Sequence, residues 1–209
     1  MIDLYTWGTP NGQKASIMLE ESGLSYTVHP INITKGEQRT PEYLQINPNG
    51  KIPAIVDREV GDGLAVFESG AILIYVAEKS GRLLAPSGPE RAQTLCWVFW
   101  QVGGLGPMIG QWGHFARAAS EKIPYAINRY FEESLRLLGV LDKHLEGREY
   151  LTAHYSIADI ANYPWVAGGF KFIGSQHPEI PSRFCNLQPW LDRVGQRPTV
   201  IAGMSIPNV

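Results

Sequence analysis

Two short stretches of this 209-residue sequence carry groups that could receive a small peptide. The first is Asn47-Pro48-Asn49-Gly50-Lys51-Ile52-Pro53-Ala54-Ile55. A proline that opens a strand just after a turn is a candidate cis peptide, and such bonds are rare enough to need a purpose. At Ile52–Pro53 the chain would turn outward. The N–H and C=O of Ile52 could then pair with an extended ligand, as in strand addition. The second stretch is Glu68-Ser69-Gly70, where a helix is expected to begin. Free N–H groups at a helix start suit a carboxylate; Ser69 can add its hydroxyl, and Glu68 can hold an ammonium. Together the two stretches describe a receptor for a short peptide with a free amino-acid end. Each also has a plainer reading, an edge-strand proline for Pro53 and ordinary capping for Glu68-Ser69.

The flanking residues supply elements to hold these groups. Residues 2–7 alternate like a strand, with Ile2, Leu4 and Thr6 on one face. Thr9-Pro10-Asn11-Gly12 is turn and N-cap chemistry, Ala15, Met18 and Leu19 recur at helical spacing, and Gly23 is a plausible stop. Residues 26–33 read as a second strand, and Thr40-Pro41-Glu42 as the start of a short helix. Residues 51–57 and 64–67 read as an antiparallel pair around Gly61-Asp62-Gly63. A helix from Glu68-Ser69-Gly70 ends near Gly81, giving the order β-α-β-α-β-β-α.

Beyond the turn-rich segment 82–89 no strand pattern appears. Ile127, Phe131, Leu135, Leu138, Leu141 and Leu145 mark one face of a long helix. Ser156 with Asp159 forms a capping box, with Tyr155 placed to staple onto Ile160. Gln188-Pro189-Trp190 begins a last helix that stops before Pro198. The expected domains are therefore 1–81, a linker 82–89, and an all-helical 90–209.

Composition excludes several roles. A 44% apolar and 18% charged chain is that of an ordinary folded protein. A net charge of −2 offers no general attraction for nucleic acid or anionic lipid. Residues 92–116 hold no Asp, Glu, Lys or Arg, but Pro107, three glutamines and five glycines interrupt them, so a helix packed among helices is expected rather than a membrane span. No apolar leader opens the chain, and Cys96 and Cys185 form no CxxC, which points to a reduced, cytoplasmic protein. The five histidines show no metal-ligand spacing with one another or with the cysteines, so no metal is expected. Cys96, among Leu95, Trp97 and Val98, is expected to be buried. Trp97, Trp100, Trp112 and Phe115 are expected in the core or lining a pocket.

Residues 5–12, 47–55, 67–70 and 156–159 together resemble the glutathione transferase family, and the likeness covers essentially the whole chain. The resemblance implies an α/β thioredoxin-like N-terminal domain that binds glutathione, an all-α C-terminal domain that shapes the co-substrate site, and a homodimer. Ser156 and Asp159 match the family's capping motif, whose role is folding. Thr9-Pro10-Asn11-Gly12 and the run from Phe99 to Met108 are similar to the bacterial nu-class disulfide-bond reductases and the related prion-forming nitrogen regulator. By that likeness Thr9 and Asn11 flank the glutathione thiolate, Gln38 and Lys51 hold its glycine end, and Arg129 reaches a second glutathione moiety. Ile52, Glu68 and Ser69 grip the peptide, and Pro53 shapes the loop. Tyr5 lies deep in the strand and is read as structural.

A free thiol has a pKa near ~8.5, so chemistry at neutral pH needs the thiolate stabilised, which a helix start with donors from Thr9 and Asn11 would do. The implied function is a glutathione-dependent disulfide-bond reductase, with peroxidase activity beside it, that uses the thiol of bound glutathione rather than a protein thiol. The alternatives are conjugation of glutathione to hydrophobic electrophiles and a non-catalytic regulator of the same fold.

Overall fold

The structure, a computed structural model, describes residues 1–208. Strand β1 (Ile2–Thr6) leads into helix α1 (Pro10–Ser22), which stops at Gly23 in the left-handed conformation at φ 71°. Strand β2 (Tyr26–Pro30) and helix α2 (Pro41–Ile46) follow, then strands β3 (Ala54–Asp57) and β4 (Leu64–Phe67) and helix α3 (Ser69–Ser80). The strands form one sheet in the order β2-β1-β3-β4, with β1 parallel to β2 and β3 antiparallel to both of its neighbours. Ile2, Leu4, Ile55, Ile17, Met18, Ile72, Leu73 and Val76 are buried between this sheet and helices α1 and α3.

Two strands are shorter than their sequence patterns. β2 ends at Pro30, and its continuation turns, with Asn32 N–H donating to Glu37 Oε2 at 2.6 Å and a short 3-10 turn at Glu37–Arg39. β3 begins at Ala54 instead of Lys51, because the Lys51 carbonyl is taken by Tyr43 Oη and Asn47 Nδ2, each at 2.6 Å.

After α3 the structure is helical throughout the described residues. Helix α4 (Gly88–Trp100) runs into α5 (Gly106–Gly113) through a π-helical turn at Gln101–Leu105, and a second π turn covers His114–Ala118. Pro107 lacks an N–H and its ring crowds the preceding turn; widening the helix relieves both, and three nearby glycines make it easy. Helix α6 (Pro124–His144) buries Leu137, Leu138 and Leu141. Helix α7 (Ile157–Gln176) starts with the expected capping box, Ser156 Oγ accepting from Ala158 N–H and Asp159 reaching back to Ser156 N–H.

Helix α8 (Leu187–Gly195) does stop before Pro198, but a further helix, α9 (Pro198–Met204), starts at that proline. Packing divides the chain into Met1–Arg91 with the residues from Gly195 onward, and Ala92–Val194. Helix α9, which falls within the expected 90–209 domain, packs on α1. A Cβ on Gly203 would lie 2.5 Å from Ile17 Cα, so only glycine permits that approach, and Ser16 Oγ donates to Gly203 O at 2.7 Å.

One expectation is corrected. Cys96 is exposed, on a face of α4 that also shows Phe99. The uncharged run 92–116 buries Val98, Leu105, Ile109 and Trp112 and leaves its opposite side open, so low charge there marks an apolar surface as well as a core.

Candidate active site

The sheet brings the two peptide-receiving stretches to one end. β1 and β4 both finish there and β3 begins there, because β3 is antiparallel to each of them. Tyr5 pairs with Ala54 and Ala54 with Phe67, so Thr6, Pro53 and Glu68 are the next residues beyond the ladder on three neighbouring strands. Helices α1 and α3 both start at this end, which directs the positive ends of their dipoles towards it, the kind of environment that attracts anions.

The Ile52–Pro53 peptide is cis. Among the described residues, neither the N–H nor the C=O of Ile52 is taken by another protein group. The loop before it is held from beneath: Asn47 is buried, its Oδ1 accepts from Asn49 N–H at 3.0 Å, and its Nδ2 holds the Lys51 carbonyl. Backbone available for pairing on a fixed loop is what strand addition requires. The Lys51 side chain is exposed. Gln38 lies beside the same loop, with its carbonyl 3.3 Å from where a Cβ on Gly50 would stand, and its buried Oε1 lacks a protein partner.

Glu68 makes no capping hydrogen bond. Its backbone sits at φ 70°, ψ 120°, a conformation that costs a non-glycine residue about 1–3 kcal/mol. The simple capping reading therefore fails for Glu68: an exposed carboxylate is held at a strained position beside a helix start without serving that helix. Ser69, the first residue of α3, is 93% removed from solvent, with a relative exposure of 7%. Its Oγ accepts from Lys14 Nζ at 3.3 Å.

No sequence motif marks Lys14. It is 1% exposed, and burial lowers its ammonium to about 7 even though the Glu68 charge opposes the effect. The available signal was its spacing: Lys14 stands four residues before Met18, on the helix face that packs inward. A lysine on an apolar face is normally assumed to reach water.

Thr9 caps α1, its Oγ1 accepting from Gly12 N–H at 3.4 Å. A hydroxyl has one proton and two lone pairs, so this cap leaves the Thr9 proton available to a second group. Capping and thiolate donation are thus compatible. Asn11 occupies the first turn of α1 and is half-buried. Gly12 is required where it stands, since a Cβ there would come 2.2 Å from the Trp7 carbonyl oxygen and 2.5 Å from Thr6 Oγ1. Tyr5 stacks on His29 with ring centroids 4.7 Å apart, which fits its structural reading.

Arg129 belongs to the other packing unit. It borders a groove of about 970 Å³ with Met108, Tyr125, Asn128, Glu132 and Arg136. Ser156 and Asp159 are buried inside that unit, where they form the capping box of α7. Among the described residues, no group of three or more His, Cys, Asp or Glu side chains is placed to hold a metal ion, and no helix is long and apolar enough to cross a membrane.

Thioredoxin-like topology, an unpaired loop amide and a serine–glutamate pair at the start of α3 define a glutathione transferase fold. Residues 1–78 match the model of the glutathione S-transferase N-terminal domain. Over 202 residues, 95% of this chain and 92% of the relative, the sequence is 50% identical to the Escherichia coli (strain K12) disulfide-bond oxidoreductase YfcG. A glutathione transferase from Pseudomonas putida, solved with one glutathione disulfide bound per subunit, superposes with a TM-score of 0.93 at 45% identity, covering 99% of this chain and 91% of that one. A Burkholderia graminis glutathione transferase with two glutathione molecules per subunit gives 0.92 at 45% identity, covering 99% and 88%. The chain belongs to the glutathione S-transferase family.

Proposed function

We propose that the protein is a glutathione-dependent disulfide-bond reductase. The observation that carries this reading is the unpaired backbone of Ile52 at the same end of the sheet as Ser69 and Glu68. The cysteinyl peptide unit of glutathione pairs with Ile52. Its γ-glutamyl carboxylate meets Ser69 and the start of α3, and its ammonium meets Glu68. Gln38 and Lys51 take the glycine end: the unsatisfied Oε1 of Gln38, an acceptor, suits the glycyl N–H, and the exposed ammonium of Lys51 suits the carboxylate.

The Thr9 hydroxyl and Asn11 then donate to the glutathione sulfur and favour its thiolate. That thiolate attacks a substrate disulfide; one S–S bond forms to glutathione, one breaks, and the leaving thiolate takes a proton from water. A second glutathione thiolate resolves the mixed disulfide, yielding glutathione disulfide and the second substrate thiol. Arg129 binds a carboxylate of that second glutathione. The relatives solved with glutathione disulfide, or with two glutathione molecules per subunit, support a two-glutathione cycle.

The working form is a homodimer in the cytoplasm. Phe99, 59% exposed on α4, together with Leu64 and Phe67 on edge strand β4, supports a second copy covering apolar surface. Sedimentation showing a stable monomer at micromolar concentration counts against the dimer. The function is tested by a panel with glutathione and a model disulfide, a hydroperoxide and an aryl halide. The disulfide should be turned over fastest; turnover of the aryl halide alone overturns the reading in favour of conjugation.

A further inference from the structure

A buried lysine with no assigned task sits behind the proposed γ-glutamyl clamp. A charged Lys14 ammonium has three donors and no acceptor, so in that form the Lys14–Ser69 bond at 3.3 Å has the hydroxyl oxygen of Ser69 as its acceptor. The Ser69 proton is thereby directed away from Lys14. Lys14 approaches from α1 and Ser69 opens α3, whose first amides have no partner within the helix. A carboxylate at that helix start would accept a hydrogen bond from the Ser69 hydroxyl, with the lysine charge one hydroxyl behind it.

We propose that Lys14 is a positioning residue for the γ-glutamyl carboxylate of glutathione, acting through the Ser69 hydroxyl, and that it takes up a proton as that carboxylate binds. The inference rests on the glutathione reading above.

Burial removes most of the water that would stabilise the Lys14 ammonium and brings it to about 7, so both forms are populated near neutrality. An arriving carboxylate favours the charged form, and charged Lys14 in turn favours the carboxylate. The charged and titratable groups of the elements packed around it are engaged as follows. Glu68, at the start of α3, opposes its deprotonation. On α3, Tyr75 and Lys79 are engaged with Asp57, and Glu78 with Arg91. On β1, Asp3 is held by Arg58 and His29, and Tyr5 stacks on His29. On α1 itself, Glu20 accepts from Tyr26 and Glu21 pairs with Arg197, while α9 carries no titratable side chain.

The probe is S-methylglutathione, whose sulfur cannot titrate. Calorimetric titrations in buffers of different ionisation enthalpy read proton uptake directly. In the wild type, uptake is expected near neutral pH, with affinity falling about tenfold between roughly pH 6.5 and 8.5, as for an opposite charge shifting a neighbour by about one pH unit. Lys14→Met should bind more weakly and lose both the uptake and the slope. Lys14→Arg, permanently charged, should recover affinity without the slope. Thermal unfolding checks that each variant folds; if neither does, the wild-type proton count decides alone. Absence of uptake in the wild type, or an unchanged uptake in Lys14→Met, overturns the proposal. If the wild type does not bind S-methylglutathione at all, the glutathione reading falls and takes this inference with it.

Discussion

Trp190 of α8 donates its indole N–H to Oδ1 of Asp159 at 2.9 Å. The same carboxylate accepts from Leu151 N–H and Ser156 N–H, each at 3.1 Å, so one buried side chain ties the start of α7 to α8 and to the loop between α6 and α7. Asp159→Ala leaves three buried donors unmatched while removing a buried charge, and a net loss of about 3 kcal/mol is expected, read as a lower denaturant midpoint with an unchanged slope. Burial raises this carboxyl from 3.8 to about 6, against the pull of its hydrogen bonds. In that interval the folded state holds a proton that the unfolded chain has released. The group's contribution therefore improves as pH falls from about 6 towards 4 and is unfavourable above 6. In Asp159→Asn that pH dependence should vanish.

Asp57 behaves in the opposite sense. Burial alone would raise it, but Lys79 Nζ at 2.8 Å, Tyr75 Oη at 2.6 Å and Glu59 N–H at 3.0 Å outweigh that and hold it at about 2. A depressed carboxyl contributes stability above its unfolded value of 3.8 and loses it as pH falls towards 2. Tyr75→Phe and Lys79→Met should each move acid unfolding to higher pH, with the larger move for Lys79→Met, which leaves the buried charge without its counter-ion. Circular dichroism across an acid titration measures it; superimposable curves would remove this cluster from the acid response.

The fold was legible because its signals are local. Thr40 before Pro41, Ser156 before Asp159 and the alternation of Ile2, Leu4 and Thr6 each name an element boundary or face by chemistry within a few residues. In the candidate site, the motifs that stand on a junction were the readable part: the Ile52–Pro53 peptide is cis, and Glu68-Ser69 lies at the start of α3. What escaped depends on distant partners. Lys14 meets Ser69 across 55 positions, and α9 docks where Gly203 meets Ile17. The exposure of Cys96 follows from which side of α4 the rest of its unit covers, which apolar neighbours in sequence do not reveal.

Glu68 offers a test that separates stability from binding. Relieving its φ of 70° with Glu68→Gly should recover about 1 kcal/mol of stability while weakening glutathione, because the carboxylate for the ligand ammonium is lost. Ser69→Ala should cost about 1.5–3 kcal/mol of affinity with the fold intact. Calorimetry beside thermal unfolding measures both, and undiminished affinity in the two variants would remove them from the site.

The central claim is that the reacting sulfur belongs to glutathione and that the start of α1 activates it. The direct measurement is the pH–rate profile for glutathione-dependent disulfide reduction in wild type, Thr9→Ala, Asn11→Ala and the Cys96→Ser/Cys185→Ser double variant. Loss of one charge-assisted hydrogen bond raises the thiol's pKa, and each unit corresponds to ~1.4 kcal/mol. The more basic thiolate is also more nucleophilic, so the rate should fall by less than the shift alone implies. The account predicts an acid limb displaced to higher pH in Thr9→Ala and Asn11→Ala and a wild-type profile in the double cysteine variant. An inactive double cysteine variant, or Thr9→Ala and Asn11→Ala profiles that overlay the wild type, would contradict it.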